Sequence, residues 1–405
     1  MFPLWVLMPE REQSVNVGSG GWERKGSMTM IDGMSTEASP AMNTDDSVDV
    51  DALRGFWHPV SWDFDLTDTP VATVLLDQRL VLWRDSSGVA NCFRDLCMHR
   101  GTALSLGTVD GDCLVCPYHG WAYDDDGTCV HIPQLGADAK IPARVRAESF
   151  RCEERYGLIW VALDEPIADI PHFPEWDDPT YRHVPCPSYT WQTSAPRMVE
   201  NFTDFGHLGY LHDGLLGTKD DLIVPKHHVD DMGLELHYQI TMGVPNTNEE
   251  FAVTKLEGER GQQTNTYVLS LPHAIWLQCT YLDTGAHRTL FFAAQPNSAT
   301  VSTGFCYQSR DYDLDLPDQP YADFQELLAE QDRPIIESQH PEELPLDLTA
   351  EFQLPFDRVA IAYRRALKRL GVHPGVTEVE PGTEPVAPAA GGATGEPDLV
   401  AHELL

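Results

Sequence analysis

The stretch that decides the fold begins at Cys97-Met98-His99-Arg100-Gly101 and ends at Cys116-Pro117-Tyr118-His119-Gly120-Trp121. Its pattern is C-x-H, sixteen residues, then C-x-x-H, so each half places one thiol and one imidazole on a single short loop. Thiolate and imidazole ligands together suit zinc or an iron–sulfur cluster, whereas Mg²⁺ and Ca²⁺ prefer oxygen. The stretch therefore predicts a metal site that is built from two loops.

The spacing of the four side chains distinguishes these two kinds of site. In a Rieske [2Fe–2S] cluster, two Cys thiolates bind one iron and two neutral His bind the other. Two loops that each donate one Cys and one His meet this demand, with Cys97, His99, Cys116 and His119 as ligands. A structural zinc site more often uses C-x₂₋₄-C and H-x₃₋₅-H pairs, so the one-residue gap after Cys97 favours the cluster. Zinc is the alternative.

The bulk composition narrows the class of protein. At 405 residues the chain is long enough for two domains, and its net charge of −36 disfavours a nucleic-acid partner or an anionic membrane surface. Nine cysteines at uneven spacings do not form a secreted disulfide framework. The apolar residues 1–8 are too few for a signal peptide or a membrane span. We therefore expect a cytoplasmic protein.

Four segments follow one another along the chain. Residues 1–49 and 376–405 lack periodicity and are expected to be a disordered leader and tail. Residues 50–165 combine short strands with tight turns and predict an antiparallel β domain that carries the two ligand loops. Residues 166–375 predict a second domain of class α+β, which follows a Pro- and Asp-rich connection over 166–187.

The second domain has one predicted helix, a curved antiparallel sheet and two more helices. The predicted helices are 197–211, 319–339 and 358–370. The predicted strands are 234–240, 266–270, 274–281, 289–294 and 301–308.

The first of these helices carries Asp204, His207 and His212. On a straight α-helix, side chains five residues apart point about 140° away from each other, so the two His share a metal only if the helix is distorted. Gly206 and Gly209 would tolerate such a distortion, and an i→i+5 turn often marks a functional site. Taken alone, the spacing also fits ordinary core or surface histidines.

The Cys–His pattern over 97–121 and the Asp–His–His pattern over 204–212 together resemble the α subunit of Rieske-type non-heme iron aromatic ring-hydroxylating oxygenases. The resemblance extends over about residues 50–375. The resemblance implies a Rieske domain followed by a helix-grip catalytic domain that binds a mononuclear Fe(II). In that family the motif Asn-x-x-Asp-x-x-His-x₄-His supplies two iron ligands, which here match His207 and His212. The resemblance also assigns Asp204 as a carboxylate that bridges His207 to a Rieske His of the neighbouring subunit, which is expected to be His119. A head-to-tail homotrimer is therefore implied.

The third iron ligand is expected to be Asp332, in the segment Glu330-Gln331-Asp332-Arg333-Pro334. Here Gln331 stands where this family more often has Glu. Four other carboxylates compete with Asp332 for the role: Asp323, Glu337, Asp347 and Asp357.

By the same resemblance, the chain is a terminal oxygenase of the single-subunit, vanillate O-demethylase-like branch. It would use O₂ to hydroxylate or demethylate an aromatic or related small molecule, in the catabolism of aromatic compounds. No G-x-G-x-x-G motif opens a helix after a strand, so NAD(P)H electrons would arrive through a separate reductase or ferredoxin. The alternatives are a ring cis-dihydroxylating dioxygenase, a Rieske electron carrier without catalysis and a zinc-binding protein. Six aromatic residues are candidates for either a substrate pocket or the core: Phe202, Phe205, Tyr210, Trp276, Phe291 and Phe292.

Overall fold

The computed structural model describes residues 50–136, 140–245 and 260–371. The expected leader over 1–49 and tail over 376–405 lie outside the described residues. The helices are α1 (Val50–Leu53), α2 (Ala195–Thr203), α3 (Gln319–Ile336) and α4 (Arg358–Gly371). None of these described helices combines the length and the apolar character that crossing a bilayer demands.

The strands of the N-terminal part form two antiparallel sheets. The strands are β1 (His58–Trp62), β2 (Val71–Leu75), β3 (Gln78–Arg84), β4 (Ala90–Arg94), β5 (Thr108–Asp110), β6 (Cys113–Val115), β7 (Ala122–Tyr123), β8 (Cys129–His131), β9 (Ser149–Arg155) and β10 (Leu158–Ala162). The larger sheet has the order β1-β10-β9-β4-β3-β2, and the smaller has the order β5-β6-β7-β8. The first ligand loop precedes the smaller sheet, and the second connects β6 to β7.

The C-terminal part is built on one eight-stranded antiparallel sheet. Its strands are β11 (Arg182–Pro185), β12 (Tyr189–Trp191), β13 (Val229–Asp231), β14 (Glu235–Pro245), β15 (Arg260–Ser270), β16 (Ala274–Tyr281), β17 (His287–Ser298) and β18 (Val301–Arg310). The order is β11-β18-β17-β16-β15-β14-β13, and β12 also pairs with β18. With α2, α3 and α4 packed against it, this sheet gives the α+β architecture that the pattern predicts.

The alternation of buried and exposed side chains along its strands explains why helices pack against one face of this sheet. Strand β16 alternates between buried and partly exposed residues from Ile275 onwards, with Ile275, Leu277 and Cys279 buried in the core shared with α2 and α4. Helix α2 begins where Ser194 caps it by accepting a hydrogen bond from the amide of Arg197, with Pro196 in its first turn. The helices therefore cover the face of the sheet to which β16 contributes these side chains.

The larger N-terminal sheet packs directly against the C-terminal sheet. The amide of Leu76 donates to the carbonyl of Pro296 at 2.7 Å, and the Gln295 side chain donates to the Val74 carbonyl at 2.7 Å. An aromatic cluster joins both parts, with Phe173 stacked on Phe291 at 4.6 Å between ring centroids. The predicted connection over 166–187 is therefore more than a linker, because it contributes Phe173 to this core and β11 to the sheet.

Candidate metal centres

The two ligand loops share one backbone geometry. The amide of Gly101 donates to the carbonyl of Cys97 at 2.9 Å, and the amide of Gly120 donates to that of Cys116 at 3.0 Å. Both glycines have a φ of 71°, a left-handed conformation that disfavours side chains with a Cβ. Each loop therefore folds back over its own cysteine and places the histidine between the cysteine and the glycine.

The four candidate ligands form an inner sulfur pair and an outer nitrogen pair. Cys97 and Cys116 are each only 2% exposed, whereas His99 and His119 are partly exposed and their Nδ1 atoms lie 3.2 Å apart. The ring of His99 stacks on Trp121 at 4.5 Å, which fixes its orientation. Two buried thiols and two adjacent imidazole nitrogens are the donor set of a Rieske cluster, so these residues fit that group.

The second candidate centre begins where α2 ends. The predicted helix 197–211 is wrong beyond Thr203, because α2 stops there and Asp204–His212 continue as turns. The carboxylate of Asp204 accepts hydrogen bonds from the amides of Gly206 at 2.9 Å and His207 at 3.2 Å. A side chain that takes up backbone donors competes with the helix, so Asp204 ends α2. The histidines converge through turns and not through a distorted helix.

These turns bring His207 and His212 to Asp332 of α3. Their candidate ligand atoms lie within 4.8 Å of one another. The Oδ1 atom of Asp332 is 3.7 Å from Nε2 of His207 and 3.2 Å from Nε2 of His212. This oxygen is buried and accepts no hydrogen bond of ordinary geometry from any described residue. Two imidazoles, one carboxylate and an orphaned buried oxygen fit a mononuclear iron with open positions.

Both histidines are held from behind at Nδ1. The ring of His207 donates to Oδ2 of Asp204 at 2.8 Å, and the ring of His212 donates to Oε1 of Gln331 at 2.7 Å. Burial raises the pKa of Asp204, but the hydrogen bond and charge of His207 outweigh burial and leave that pKa below its usual value. Acceptors of this kind fix the tautomer and direct Nε2 towards a metal.

Gln331 is the functional residue that the sequence reasoning missed. The sequence pattern marks it only as a departure from the usual Glu, whereas in the structure its Oε1 accepts from the ring of His212. Its position next to Asp332 is the available signal, because neighbouring residues of one helix can reach the two ring nitrogens of one histidine. Gln331 reaches Nδ1 of His212, and Asp332 faces Nε2 of the same ring.

The competing carboxylates all have other partners and lie outside this group. Glu337 accepts from the amide of Gln192 at 2.9 Å, and Asp323 accepts from the side chain of Gln319 at 2.7 Å. The other two accept nearby amides, from Thr349 for Asp347 and from Leu354 for Asp357. The geometry therefore favours Asp332 over these four.

A mostly apolar cavity adjoins the second centre. Its lining includes His207, His212 and Asp332 together with Phe202, Leu290 and Leu328. Phe202 is the one member of the six predicted aromatic residues that lines this cavity. Of the other five, Phe205, Phe291 and Phe292 are buried in core clusters, Trp276 donates to Glu175 at 2.8 Å, and Tyr210 is 67% exposed.

Comparison with known proteins agrees with this geometry. Residues 56–150 match the Rieske [2Fe-2S] domain, and residues 191–372 match the vanillate O-demethylase oxygenase C-terminal domain. The methylxanthine N1-demethylase of Pseudomonas putida is 34% identical over 326 residues, which are 78% of this chain and 89% of the relative. The chain belongs to the Rieske non-heme iron oxygenases.

Further relatives of this oxygenase cover a similar share of the chain. The methylxanthine N3-demethylase of Pseudomonas putida is 32% identical over 332 residues, 79% of this chain and 90% of the relative. The solved structure of Pseudomonas putida NdmA with caffeine superposes with a TM-score of 0.71 at 34% identity, covering 79% of this chain and 92% of that one.

Family membership gives this oxygenase a Rieske cluster, a mononuclear iron and the role of a terminal oxygenase component. It uses O₂ and reductase-supplied electrons to hydroxylate or oxidatively demethylate a small aromatic or related molecule. The zinc-protein and electron-carrier alternatives are thereby set aside.

Proposed function

We propose that this oxygenase is a monooxygenase that removes a methyl group from a nitrogen or oxygen atom of a small aromatic molecule. Hydroxylation of such a methyl carbon gives a product that collapses with loss of formaldehyde. Support comes from relatives named as N-demethylases and from a dicamba O-demethylase oxygenase component that is 36% identical over 170 residues. The observation that carries the proposal is the convergence of His207, His212 and Asp332 at the wall of an apolar cavity.

We assign the metal ligands accordingly. Cys97, His99, Cys116 and His119 hold the cluster, and His207, His212 and Asp332 hold the iron. When bound, the cluster supplies single electrons and the iron supplies the activation of O₂. Gln331 and Asp204 orient the two iron-site imidazoles from behind, as their 2.7 and 2.8 Å hydrogen bonds support.

The cavity residues position the substrate and exclude water. Phe202, Leu290 and Leu328 offer apolar surface beside the iron ligands, so an aromatic ring gains free energy by leaving water there. The residues that line the cavity include residues of the sheet and of α3. A methyl group can therefore be held next to the iron site while the ring contacts the apolar wall.

We also propose a head-to-tail homotrimer in which Asp204 connects His207 to the partner subunit's His119. The Asp204 side chain is 37% exposed, and it lines a surface groove together with Tyr210 and Phe352. Phe352 is 89% exposed, which is unusual for a large apolar side chain and suits a surface that another subunit covers. Asp204 is therefore accessible to a second subunit on one side and bonded to His207 on the other.

The remaining parts of the proposal concern organisation and context. We assign residues 50–165 to the Rieske domain and residues 166–375 to the catalytic domain. We place the oxygenase in the cytoplasm, in the catabolism of aromatic compounds, with NAD(P)H electrons arriving through a reductase or ferredoxin.

Low-temperature EPR of the dithionite-reduced holoenzyme, with iron and sulfide counted on the same sample, tests the two metal centres. A Rieske-type signal with about two sulfides and three irons per chain is expected. Turnover of methoxy- and N-methyl-arenes with reductase under ¹⁸O₂ then tests the reaction. Formaldehyde and a demethylated arene support the proposal, whereas a cis-diol that carries two ¹⁸O atoms would identify a dihydroxylating dioxygenase.

A further inference from the structure

One wall of the cavity holds a buried cation, Arg288 of β17. It is 4% exposed, and it is the one Lys or Arg among the described residues that line the cavity. Asp332, at the iron site, is the one acid in the same described lining. The cavity therefore has a carboxylate at the metal and a guanidinium elsewhere in its wall.

The guanidinium of Arg288 has no carboxylate partner among the described residues. Its Nη2 atom lies 4.0 Å from the thiol of Cys279, its plane lies over Phe324 at 5.9 Å, and its Nε is buried without any hydrogen-bond partner in the described chain. A thiol is a weak acceptor, and an aromatic ring offers only a modest attraction. Burying a cation with such partners is costly unless an anion joins it.

Other arginines in the same chain show what the edge of a guanidinium formed by Nε and Nη2 binds. The Nε and Nη2 atoms of Arg54 donate to the two oxygens of Asp164, both at 3.0 Å. Arg182 uses the same two atoms towards Asp318. Such paired hydrogen bonds match the planar geometry of a carboxylate. Among the described residues, the corresponding edge of Arg288 faces the Cys279 thiol and no carboxylate.

The neighbouring strand provides a direct comparison. Arg310 of β18 stands opposite Arg288 in the register of the sheet and is fully buried. Its Nη2 lies 3.3 Å from Asp318, and its guanidinium stacks on Tyr321 at 3.7 Å. The fold thus supplies a carboxylate to Arg310, which lies outside the cavity. Within the described residues it supplies none to Arg288, which lines the cavity.

The cation also lies at a distance from the metal. Phe324, which faces Arg288, precedes Asp332 by eight residues on α3, a rise of about 12 Å. Gln263 and Asn265 also line the cavity and add polar atoms to its wall, with Gln263 donating to Asn265 at 2.8 Å. A substrate that reaches both ends places its methyl group at the iron and a different group at Arg288.

We infer that the substrate is an aromatic carboxylate, with the carboxylate bound by Arg288 and the methylated atom at the opposite end of the ring. This inference rests on the proposed demethylase function and adds the substrate class. The net charge of −36 does not oppose it, because charges farther than about 8 Å away are screened at physiological salt. Among the described residues that line the cavity, Arg288 is the positive charge that the substrate meets.

Anaerobic calorimetric titration of the holoenzyme with 4-methoxybenzoate, 4-(methylamino)benzoate and their neutral amides tests the inference. The acids are expected to bind about 10- to 100-fold more tightly than the amides, as a charge-assisted hydrogen-bond pair implies. Arg288→Met should abolish this ratio, and Arg288→Lys should retain part of it. Arg310→Met is the matched control, which should weaken folding and leave the ratio unchanged. Circular dichroism and cluster absorbance establish that each variant is folded.

The inference is overturned if neither acid binds more tightly than its amide, or if folded Arg288→Met keeps the wild-type ratio. Formaldehyde measured in parallel separates this failure from failure of the proposed function. If the acids bind through Arg288 but release no formaldehyde, the anion site is supported and the proposed demethylation is rejected. If acid and amide bind with equal affinity and both release formaldehyde, demethylation is supported and the anion site is rejected.

Discussion

The ring of His207 donates from Nδ1 to Asp204 at 2.8 Å, while its Nε2 faces Asp332 at 3.7 Å. One imidazole therefore stands between two carboxylates, one on the surface groove and one at the cavity. This arrangement places His207 where an iron site and a neighbouring subunit can both reach it. Each half of the arrangement has a measurable consequence.

Asp204→Asn should retain both metals and lower turnover by about 10- to 100-fold, because it removes the charged acceptor behind His207. The measurement is steady-state turnover with reductase, together with iron and sulfide counts. Asp213→Asn, which alters an exposed carboxylate paired with Lys219, is the control. Wild-type turnover in Asp204→Asn would contradict the bridging role.

Asp332→Ala should lose the mononuclear iron and keep the cluster, because it removes the carboxylate that the described residues bring to His207 and His212. Metal analysis should then give about two irons and two sulfides per chain. Asp323→Ala, which changes a carboxylate of the same helix outside the group, should keep about three irons. Retention of the third iron in Asp332→Ala would require another ligand.

Gln331→Leu should weaken iron binding by about 10- to 100-fold, because His212 then has no acceptor for its Nδ1 proton. Titration of the chelator-treated protein with Fe(II) measures this affinity. Gln331→Glu restores an acceptor and should restore binding. An unchanged affinity in the Leu variant would mean that packing alone orients His212.

Tyr123→Phe should lower the reduction potential of the cluster. The Tyr123 hydroxyl lies 3.2 Å from Sγ of Cys97, and a hydrogen bond to a cluster sulfur stabilises the reduced state. A net hydrogen bond of about 1 kcal/mol corresponds to about 40 mV. Spectroelectrochemistry measures the shift, and His119→Cys, which replaces a proposed ligand, should lower the potential much further. A potential that stays unchanged in Tyr123→Phe would show that this contact has no influence.

Arg364→Met should destabilise the catalytic domain by about 3–5 kcal/mol, because it removes a buried cation and leaves the partly buried carboxylate of Glu200 without it. Arg364 is 2% exposed and binds Glu200 at 2.5 and 2.7 Å and Glu351 at 2.5 Å. Urea unfolding of the holoenzyme measures the change. Arg369→Met breaks an exposed pair with Asp231 and should cost less than about 1 kcal/mol. Equal effects of the two variants would exclude burial as the cause.

The sequence alone was sufficient for the family and the fold class. The spacing of Cys97 and His99 shows that one loop can present both side chains. The pattern over 274–281 predicts a strand, and β16 begins and ends at the predicted residues. These features depend on residues that are close together in the sequence, so they can be identified without knowing the tertiary structure. The roles of the candidate ligands remain predictions, although the structure gathers the residues that the resemblance named.

Only the tertiary structure decided which distant side chains meet. Asp332 and its four competitors are the same kind of carboxylate in sequence, and the packing of α3 beside the turns after Thr203 brings only Asp332 to the histidines. The acceptor role of Gln331 and the unpaired state of Arg288 within the described chain also depend on contacts between elements far apart in sequence. Such contacts arise from the packing of whole helices and strands, which no local pattern encodes.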